Sequence, residues 1–449
     1  MIGALVRRLD RGTGSAGLLA KGLRYVFPDH WSFLFGEIAL YAFVILVATG
    51  TYLAFFFDAS MAHTVYQGSY EPLRGQRVTE AYRSVIDLSF DVRAGLLIRQ
   101  VHHWAANVFL AAITIHLLRV FFTGAFRRPR TANYRIGLTL LGVALLEGYM
   151  GYSLIDDLLS GMGLAIGYSV ALSIPFIGGT IGTLMWGGDF PGSGEWITRF
   201  YIGHVFLLPA LIATLIAVHL ALIARAHHTQ FRGPGRTERN VVGSPMWPGY
   251  MLRSGGLFLA VAAVLVLLGG LAQINPVWQW GPYEIWRSTN GAQPDWYLGW
   301  LIGALRIMPN WELVIGGWHV VPNPFFGGVL FPAIVFGVLW MWPTAERLIT
   351  GDRREHNLLD RPRDRPWRTA LGAAMVSWVA LMFLFGAADR LLVQMGISYE
   401  VQLIVARVLV FALPAVVFLV VKRACEELRR ADPPEPAPAK PAPAQRSTL

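Results

Sequence analysis

Eight stretches of the chain are apolar for long enough to approach or exceed the length of a membrane-spanning helix. A hydrocarbon core about 30 Å thick needs about 20 mostly apolar residues in helical form. Numbered in chain order as helices one to eight, the stretches lie near residues 33–57, 101–122, 136–155, 202–224, 255–274, 325–343, 370–388 and 401–421. The pattern predicts an all-α, polytopic membrane protein with eight transmembrane helices.

The polar segments between these helices differ greatly in length. Three connections are long and rich in Gly, Pro and aromatic residues: about 58–98, 156–201 and 275–324. Long connections in a compact protein tend to be functional. The other connections are shorter and basic. We therefore expect a functional site on the side of the membrane that carries the three long connections.

This pattern suggests four parts of the chain. Helices one to four form a dense group, and the ends of the chain are more polar than its middle. The parts are an amphipathic surface segment 1–30, a four-helix bundle 31–230, a second membrane domain 231–430 containing the loop 275–324, and a Pro/Ala-rich tail 431–449 that we expect to be disordered.

The composition supports the membrane class. The 449 residues are 54% hydrophobic and only 15% charged, with a mean hydropathy of +0.46. Such a chain is too apolar for an ordinary soluble protein.

The net charge of +10 is better explained by membrane topology than by nucleic-acid binding. If the N-terminus lies inside, 28 of the 38 Lys and Arg fall on inside segments and 9 on outside loops, with Arg407 within helix eight. This asymmetry follows the positive-inside rule and places both termini in the cytoplasm. No basic, aromatic-interleaved nucleic-acid module is present in the sequence.

The single cysteine, Cys425, limits the redox chemistry that the chain can carry alone. One cysteine excludes an internal disulfide, a four-cysteine iron–sulfur cluster and a CxxCH haem attachment.

Two helices each carry two histidines at nearly the same spacing. His102 and His116 are 14 residues apart in helix two, and His204 and His219 are 15 apart in helix four. These spacings miss whole turns by about −40° and +60°, so both histidines of a pair point to one side, and they are separated by roughly 21 Å along the axis. Each helix therefore places one histidine near each face of the hydrocarbon layer.

Helices two and four run in the same direction because two crossings separate them. His102 is then level with His204 near the outer side, and His116 with His219 near the inner side. Two facing imidazoles at each level suit a haem iron with one histidine on each face. A single membrane histidine more often forms a helix–helix hydrogen bond or a proton relay, but four in matched pairs favour two stacked haems. His103 is rotated by about 100° from His102 and stays unassigned.

Small and basic residues at the same levels fit this interpretation. Helix one has Gly36 and Gly50, and helix three has Gly137 and Gly151, again 14 apart. They would let flat macrocycles approach the backbone, although glycine also serves close helix packing. The remaining candidates are two basic residues one turn from a histidine, Arg99 and Arg119, which could pair with haem propionates or mark the helix ends by snorkelling.

The histidine constellation resembles cytochrome b of the bc1-type quinol:cytochrome c reductases and of the b6f complexes. The resemblance also rests on "ATGTYLAFFF", "GYSL", "IPFIGGTIGTLMWGGDFPG" and "PDWY". "WSFLFGE" lacks the helix-one cysteine of the b6f branch. "FFTGAFRRPR", "HTQFRGPGRTERNVVG" and "HNLLDRPRD" are most similar to the actinobacterial, menaquinol-oxidising form.

The resemblance implies a respiratory enzyme subunit in a bacterial plasma membrane. His102 and His204 would hold an outer, low-potential b haem, and His116 and His219 an inner, high-potential one, both non-covalent. The implied partners are a Rieske iron–sulfur protein, a c-type cytochrome subunit, a second copy of the chain, membrane lipids and a supercomplex with cytochrome c oxidase. The implied cofactors are the two haems and a quinone, menaquinone in the actinobacterial form.

The resemblance also implies two quinone pockets. An outer quinol-oxidation pocket (Qo) would use Pro294, Asp295, Trp296 and Tyr297, with Asp295 as proton acceptor and Tyr297 as a hydrogen-bonding phenol. Asp295 stands where the wider family has Glu, and "PDW" could instead form an Asx-type turn. For the inner quinone-reduction pocket (Qi), the candidates are residues for which surface or headgroup roles are equally open: Trp31, Arg225, His227, His228 and Arg253.

Two other classes stay open on the sequence alone. One is a dihaem membrane anchor of another quinone-linked dehydrogenase, although the PDWY segment and the extra helices favour a cytochrome b. The other is a proton-coupled secondary transporter, which would usually show paired halves that this chain lacks.

Overall fold

The computed structural model describes residues 15–289, 294–387 and 389–432. Within these ranges eight helices are long and apolar enough to cross a membrane, which confirms the predicted architecture. In chain order their bounds are Trp31–Ala54, Gly95–Phe122, Thr131–Ser153, Trp196–Ala226, Met246–Leu271, Phe326–Thr350, Pro366–Ala387 and Tyr399–Arg430.

Several helices extend beyond the apolar stretches that predict them. Helix two begins at Gly95 rather than at residue 101, and helix five begins at Met246 rather than at 255. Hydropathy marks the part of a helix that lies in hydrocarbon, whereas backbone hydrogen bonding continues into polar residues at its ends. The extension of helix two brings Arg99 into the helix, one turn before His102.

The long connections on the predicted outer side are folded. The shorter elements there are the helices Glu71–Leu73, Glu80–Phe90, Leu158–Leu172, Gly178–Trp186, Val277–Trp280, Trp296–Ile307 and Asp389–Gln394. Two antiparallel strand pairs join them, His63–Val65 with Arg77–Thr79 and Leu313–Ile315 with Trp318–Val321. The outer connections thus form a structured cap over the bundle.

The predicted inner side has a smaller set of elements. They are the helix Ser15–Leu23, a helical turn Pro362–Asp364, and the strand Val26–Pro28 paired antiparallel with Gly243–Pro245. The N-terminal part is therefore tied by a strand to the connection between helices four and five. Residues 1–14 of that segment, and 433–449 of the predicted tail, lie outside the described residues.

The first four helices pack so that helix one lies along helix two and helix three along helix four, with helix five against helices one and two. The buried core between them contains several alanines, which let the helix backbones approach closely. Its members are Ala39, Ala42, Phe109, Leu110, Ala112, Leu140, Ala144, Ile212 and Tyr297. Tyr297 belongs to the PDWY segment, so this segment reaches the bundle from the second half of the chain.

A buried ionic cluster joins the inner ends of the helices. Arg368 is 1% exposed and pairs with Glu346 at 2.8 Å and with Asp360 at 2.8 Å. Arg127, after helix two, pairs with the same Asp360 at 3.1 Å. Because removing one partner of a buried ion pair leaves an uncompensated charge, the cluster fixes helices two, six and seven relative to one another.

Candidate functional site

The four histidines of helices two and four meet in two pairs. The rings of His102 and His204 have centroids 6.1 Å apart, and those of His116 and His219 are 6.5 Å apart. Two metal–nitrogen bonds of about 2 Å, plus the distance from each nitrogen to its ring centre, require about 6 Å. Both gaps therefore fit an iron ion bound between two imidazoles. Below, outer pair means His102 and His204, and inner pair means His116 and His219, after the predicted orientation.

A local widening of helix four accounts for its longer histidine spacing. Residues Gly203–Leu207 form one turn of π-helix, which contains His204. Such a turn holds one extra residue, and π-turns inside α-helices often occur at functional sites. The spacing of 15 in helix four thereby covers the same length as the spacing of 14 in helix two, and both pairs stay level.

Each of the four glycines lies against one of the four histidines. A Cβ atom on Gly50 would lie 3.1 Å from His102, and one on Gly36 would lie 3.2 Å from His116. On helix three, the corresponding contacts are Gly151 with His204 and Gly137 with His219, the latter at 3.5 Å. The glycines thus make room for the imidazole rings, which any side chain at these four positions would displace.

The outer pair has hydrogen-bond partners that orient its rings. Thr49 Oγ1 lies 2.9 Å from Nδ1 of His102. Nδ1 of His204 lies 3.0 Å from Oε1 of Glu147 and 3.2 Å from its carbonyl oxygen. A partner at Nδ1 leaves Nε2 for a metal, a common arrangement around metal-bound histidines.

The two arginines that the sequence analysis singled out lie near the histidine pairs, and part of each guanidinium makes no hydrogen bond. Arg99 is 8% exposed and donates from both Nη atoms to the carbonyl of Asn275 at 3.3 Å. Arg119 lies over the ring of Phe33, 4.1 Å from its centroid. Among the described residues neither Nε has a partner. Burial of Arg99 disfavours snorkelling, and both sites suit an anionic group such as a propionate.

The PDWY segment brings its carboxylate to helix two. Asp295 precedes the helix Trp296–Ile307, but its side chain makes no capping hydrogen bond there, so the Asx-type turn is wrong. Instead, Nε2 of His103 lies 2.7 and 2.8 Å from the Asp295 carboxylate oxygens, and the hydroxyl of Tyr297 donates to Oδ2 at 3.0 Å. His103, which the sequence left unassigned, is thus part of the site.

One cavity is lined by both the outer pair and this carboxylate. Besides the outer pair and Asp295, its lining includes His103, Glu147, Tyr152 and Tyr297. Trp296 is 39% exposed and, with Pro294, is not among the residues that line the cavity.

The inner quinone candidates lie in separate contacts. Arg253 pairs with Asp29 at 2.9 Å, and Trp31 is 68% exposed. His227 stacks on Tyr25 at 5.7 Å. His228 packs against Phe27 at 4.8 Å, and burial, assisted by Arg119 and Arg130, lowers its pKa to about 4. Arg225 is exposed. These residues stay candidates, with His227 and His228 grouped around the strand Val26–Pro28.

A hydrogen-bonded group near the inner pair was missed by the sequence reasoning. The hydroxyl of Ser254 donates to Oε2 of Glu37 at 2.6 Å, and Tyr41 bonds to the same serine. Glu37 follows Gly36, the glycine that faces His116. A carboxylate inside a membrane-spanning helix is costly and usually functional, so this acid within an apolar stretch was the available signal.

Comparisons with known proteins agree with this architecture. Residues 107–282 match the family described as "Cytochrome b(N-terminal)/b6/petB". The chain is 44% identical over 423 residues to the cytochrome bc1 complex cytochrome b subunit of Streptomyces coelicolor, covering 94% of this chain and 77% of the relative. It is 48% identical over 426 residues to the subunit of Mycobacterium tuberculosis, with the same two coverages. With the subunit of Corynebacterium diphtheriae the identity is 46%, over 94% and 78% of the two chains.

A solved structure described as a hyperthermophilic respiratory Complex III shares the fold, with a TM-score of 0.69 over 93% of this chain and 98% of that one, at 18% identity. The fold and the histidine-bearing bundle thus define a polytopic membrane protein of the respiratory cytochrome b class. The sequence identity of 44–48% to the actinobacterial relatives defines the family more narrowly than the shared fold does. This chain belongs to the family of cytochrome b subunits of the cytochrome bc1 complex, a component of a quinol:cytochrome c oxidoreductase.

Proposed function

We propose that this chain oxidises quinol in the outer cavity and passes electrons through two non-covalent b-type haems to a quinone at the inner end. Proton release outside and proton uptake inside would couple this electron transfer to proton translocation. The observation that carries the proposal is the shared cavity of the outer histidine pair and the Asp295–His103–Tyr297 group. One site can then both accept a proton from quinol and deliver its electron to a haem.

The four histidines would hold the haems, His102 and His204 the outer one and His116 and His219 the inner one. The bound haems would supply one-electron chemistry. The protein contributes orientation: Thr49 and Glu147 fix the outer rings through Nδ1, and the four glycines make room for the imidazole rings against helices one and three. Arg99 and Arg119 would pair with the propionates.

Asp295 would act on the quinol as proton acceptor. Its carboxylate lies 12% exposed in the cavity, and Nε2 of His103 and the hydroxyl of Tyr297 hold it in place. A carboxylate fixed beside a quinol hydroxyl can take its proton as the electrons leave. Pro294 and Trp296 would support the loop rather than contact the quinol, since neither lines the cavity.

At the inner end, quinone reduction requires protons from the opposite side. Glu37, linked to Ser254, is the carboxylate nearest in sequence to the glycine that faces His116. We include it with Trp31, Arg225, His227, His228 and Arg253 as the Qi candidates. Menaquinone is the proposed quinone because the similar relatives are actinobacterial.

The proposed assembly follows from the family. A subunit of the bc1 complex works with a Rieske iron–sulfur protein and a c-type cytochrome. We propose in addition a homodimer, a supercomplex with cytochrome c oxidase, and a plasma-membrane orientation with both termini in the cytoplasm, which the distribution of Lys and Arg supports.

The contact of Gly50 with His102 gives a prediction for the outer haem. Gly50→Leu places a branched side chain where a Cβ would already lie 3.1 Å from His102, so we expect loss of most outer-haem absorbance. Gly256→Leu is the matched control, because nothing lies within 4 Å of a Cβ there. The reduced-minus-oxidised spectrum of both purified variants measures the effect. An unchanged spectrum in Gly50→Leu would contradict this role of Gly50.

The function itself is tested on the purified complex. We expect a spectrum of two b-type haems, and reduction of cytochrome c on addition of dimethylnaphthoquinol that stops with a Qo inhibitor. Haems without cytochrome c reduction would favour a dihaem anchor of another dehydrogenase. A colourless preparation would exclude both haem-containing alternatives and would favour the secondary transporter instead.

A further inference from the structure

A second pair of carboxylates is buried in the outer cap. Asp156 is 2% exposed and Asp157 is 0% exposed. The N–H of Tyr283, from the loop after helix five, donates to the carbonyl of Asp156 at 2.9 Å. The hydroxyl of Thr79, from the loop after helix one, donates to Oδ2 of Asp156 at 2.6 Å. The pair is therefore held where all three long outer connections meet.

Asp157 has one satisfied oxygen and one unsatisfied oxygen. Oδ1 accepts the N–H of Ser160 at 2.7 Å, which caps the helix Leu158–Leu172. Among the described residues, Oδ2 has no hydrogen-bond partner although it is buried. Buried polar atoms in native proteins are almost always paired with protein or ordered water, so this oxygen indicates a polar path rather than a packed core.

Tyr152 lies between this pair and the quinol cavity. Tyr152 is 8% exposed and lines the cavity together with Asp295 and Tyr297. Its hydroxyl also has no hydrogen-bond partner among the described residues. The hydroxyl of Tyr152 is close enough to interact electrostatically with the carboxylates of both Asp157 and Asp295. A tyrosine hydroxyl both donates and accepts, so Tyr152 can connect two carboxylates that do not touch.

The groups around the pair set its protonation. Burial raises the pKa of Asp156 to about 7, against the hydrogen bond from Thr79. Burial raises the pKa of Asp157 to about 6, against the hydrogen bonds of Ser160 and the charge of Arg99 on helix two. Tyr82 and Tyr283 are the further titratable groups that face the pair, from the other two loops. Both carboxylates can thus exchange protons near neutral pH.

We infer that Asp157, together with Asp156, is a second proton acceptor for quinol oxidation, reached through the hydroxyl of Tyr152. The inference rests on the proposed function of the outer cavity. Quinol loses two protons and two electrons to become quinone. The electrons leave through the bc1 complex, and Asp295 can hold one proton at a time. The hydroxyl of Tyr152 and Oδ2 of Asp157 share no hydrogen bond, so a water between them would carry the proton of Tyr152 to Oδ2 while the tyrosine takes one from the cavity. Tyr152 then ends unchanged.

The path then continues away from the cavity. Asp156 directly precedes Asp157 in the chain, and Thr79 holds its carboxylate at the end of the strand Arg77–Thr79, whose first residue is exposed. A proton on Asp156 therefore lies at the inner edge of the outer cap. The two carboxylates would together take a proton from the quinol cavity into the outer cap.

The chain allows variants that remove the titration and keep the structure. Asn caps a helix as well as Asp does, so Asp157→Asn retains the bond to Ser160. Asn also tolerates the positive φ of +56° at position 156, so Asp156→Asn is equally conservative. Ser160→Ala keeps both carboxylates but removes a hydrogen bond that lowers the pKa of Asp157, so we expect its rise in rate to move to higher pH. Asp58→Asn controls for the loss of a carboxylate elsewhere in the outer cap, because the side chain of Asp58 is 52% exposed.

The experiment measures the rate of dimethylnaphthoquinol oxidation by the purified complex between pH 5.5 and 8.5. In the parent protein we expect the rate to rise with pH between about 6 and 7, because an acceptor must first lose its proton. In Asp157→Asn we expect a rate about tenfold lower at pH 7 and loss of that rise. This is less than the 10²–10⁴-fold typical of a group acting directly on substrate, since Asp295 still accepts one proton.

Several outcomes would overturn the inference. One is an Asp157→Asn or Asp156→Asn/Asp157→Asn protein that keeps the parent pH profile, whether or not its rate is uniformly lower. Another is an Asp58→Asn protein that loses the profile as well, or a Ser160→Ala protein whose rise stays at the parent pH. Absence of quinol oxidation in the parent complex would instead refute the proposed function, so the two failures are distinguishable.

Discussion

Replacing His219 with alanine is expected to leave a protein with the outer b haem alone. His219 and His116 form the inner pair, with ring centroids 6.5 Å apart, and Gly137 is the glycine that faces His219. Alanine offers no nitrogen to the iron, and a single remaining histidine holds a haem far less firmly. The haem-to-protein ratio should fall from two to one, and the inner haem's band should disappear from the reduced-minus-oxidised spectrum.

The design includes a reciprocal variant and a neutral one. His102→Ala should remove the outer signal and keep the inner one, because the two pairs use different residues of the same two helices. His319→Ala, in the strand Trp318–Val321 with a side chain 63% exposed, should retain both signals. If His219→Ala retained both haems, the assignment of the inner pair would be wrong.

The sequence predicts the histidine pairs well because their chemistry is repeated at helical spacing. His102 and His116, and His204 and His219, need only the geometry of a straight helix to share a face. The turn of π-helix at Gly203–Leu207 was not predictable in the same way. It depends on how helix four packs beside helices one and three, which no local pattern records.

The contacts of the outer cavity are the part that the sequence could not supply. His103 and Asp295 are separated by 192 residues, and only the folding of the loop after helix five against helix two brings them together. The burial of Asp156 and Asp157 depends in the same way on the backbone of Tyr283. Family resemblance pointed to Asp295 but gave no partner for it, and left His103 unassigned.

Asp295→Asn is expected to slow quinol oxidation by about 10²-fold, the lower end of the effect of a positioned acid–base group. Asparagine has the same shape, so it can still accept the hydroxyl of Tyr297 and remain beside His103. It cannot take a proton from quinol. Because Asp295 does not bind iron, both haem signals should remain, and the loss should appear in kcat for dimethylnaphthoquinol with cytochrome c as acceptor.

Two comparisons separate this role from a structural one. Glu284→Gln alters an acid in the same loop that pairs with Arg287 at 3.7 Å with a side chain 37% exposed, and its turnover should match the parent. Asp295→Glu restores the carboxylate with one more methylene and should recover most of the rate if proton transfer is the cause. Full turnover by Asp295→Asn would refute the proton role. If Asp295→Glu were as slow as Asp295→Asn, the shape of the side chain rather than its proton would determine the rate.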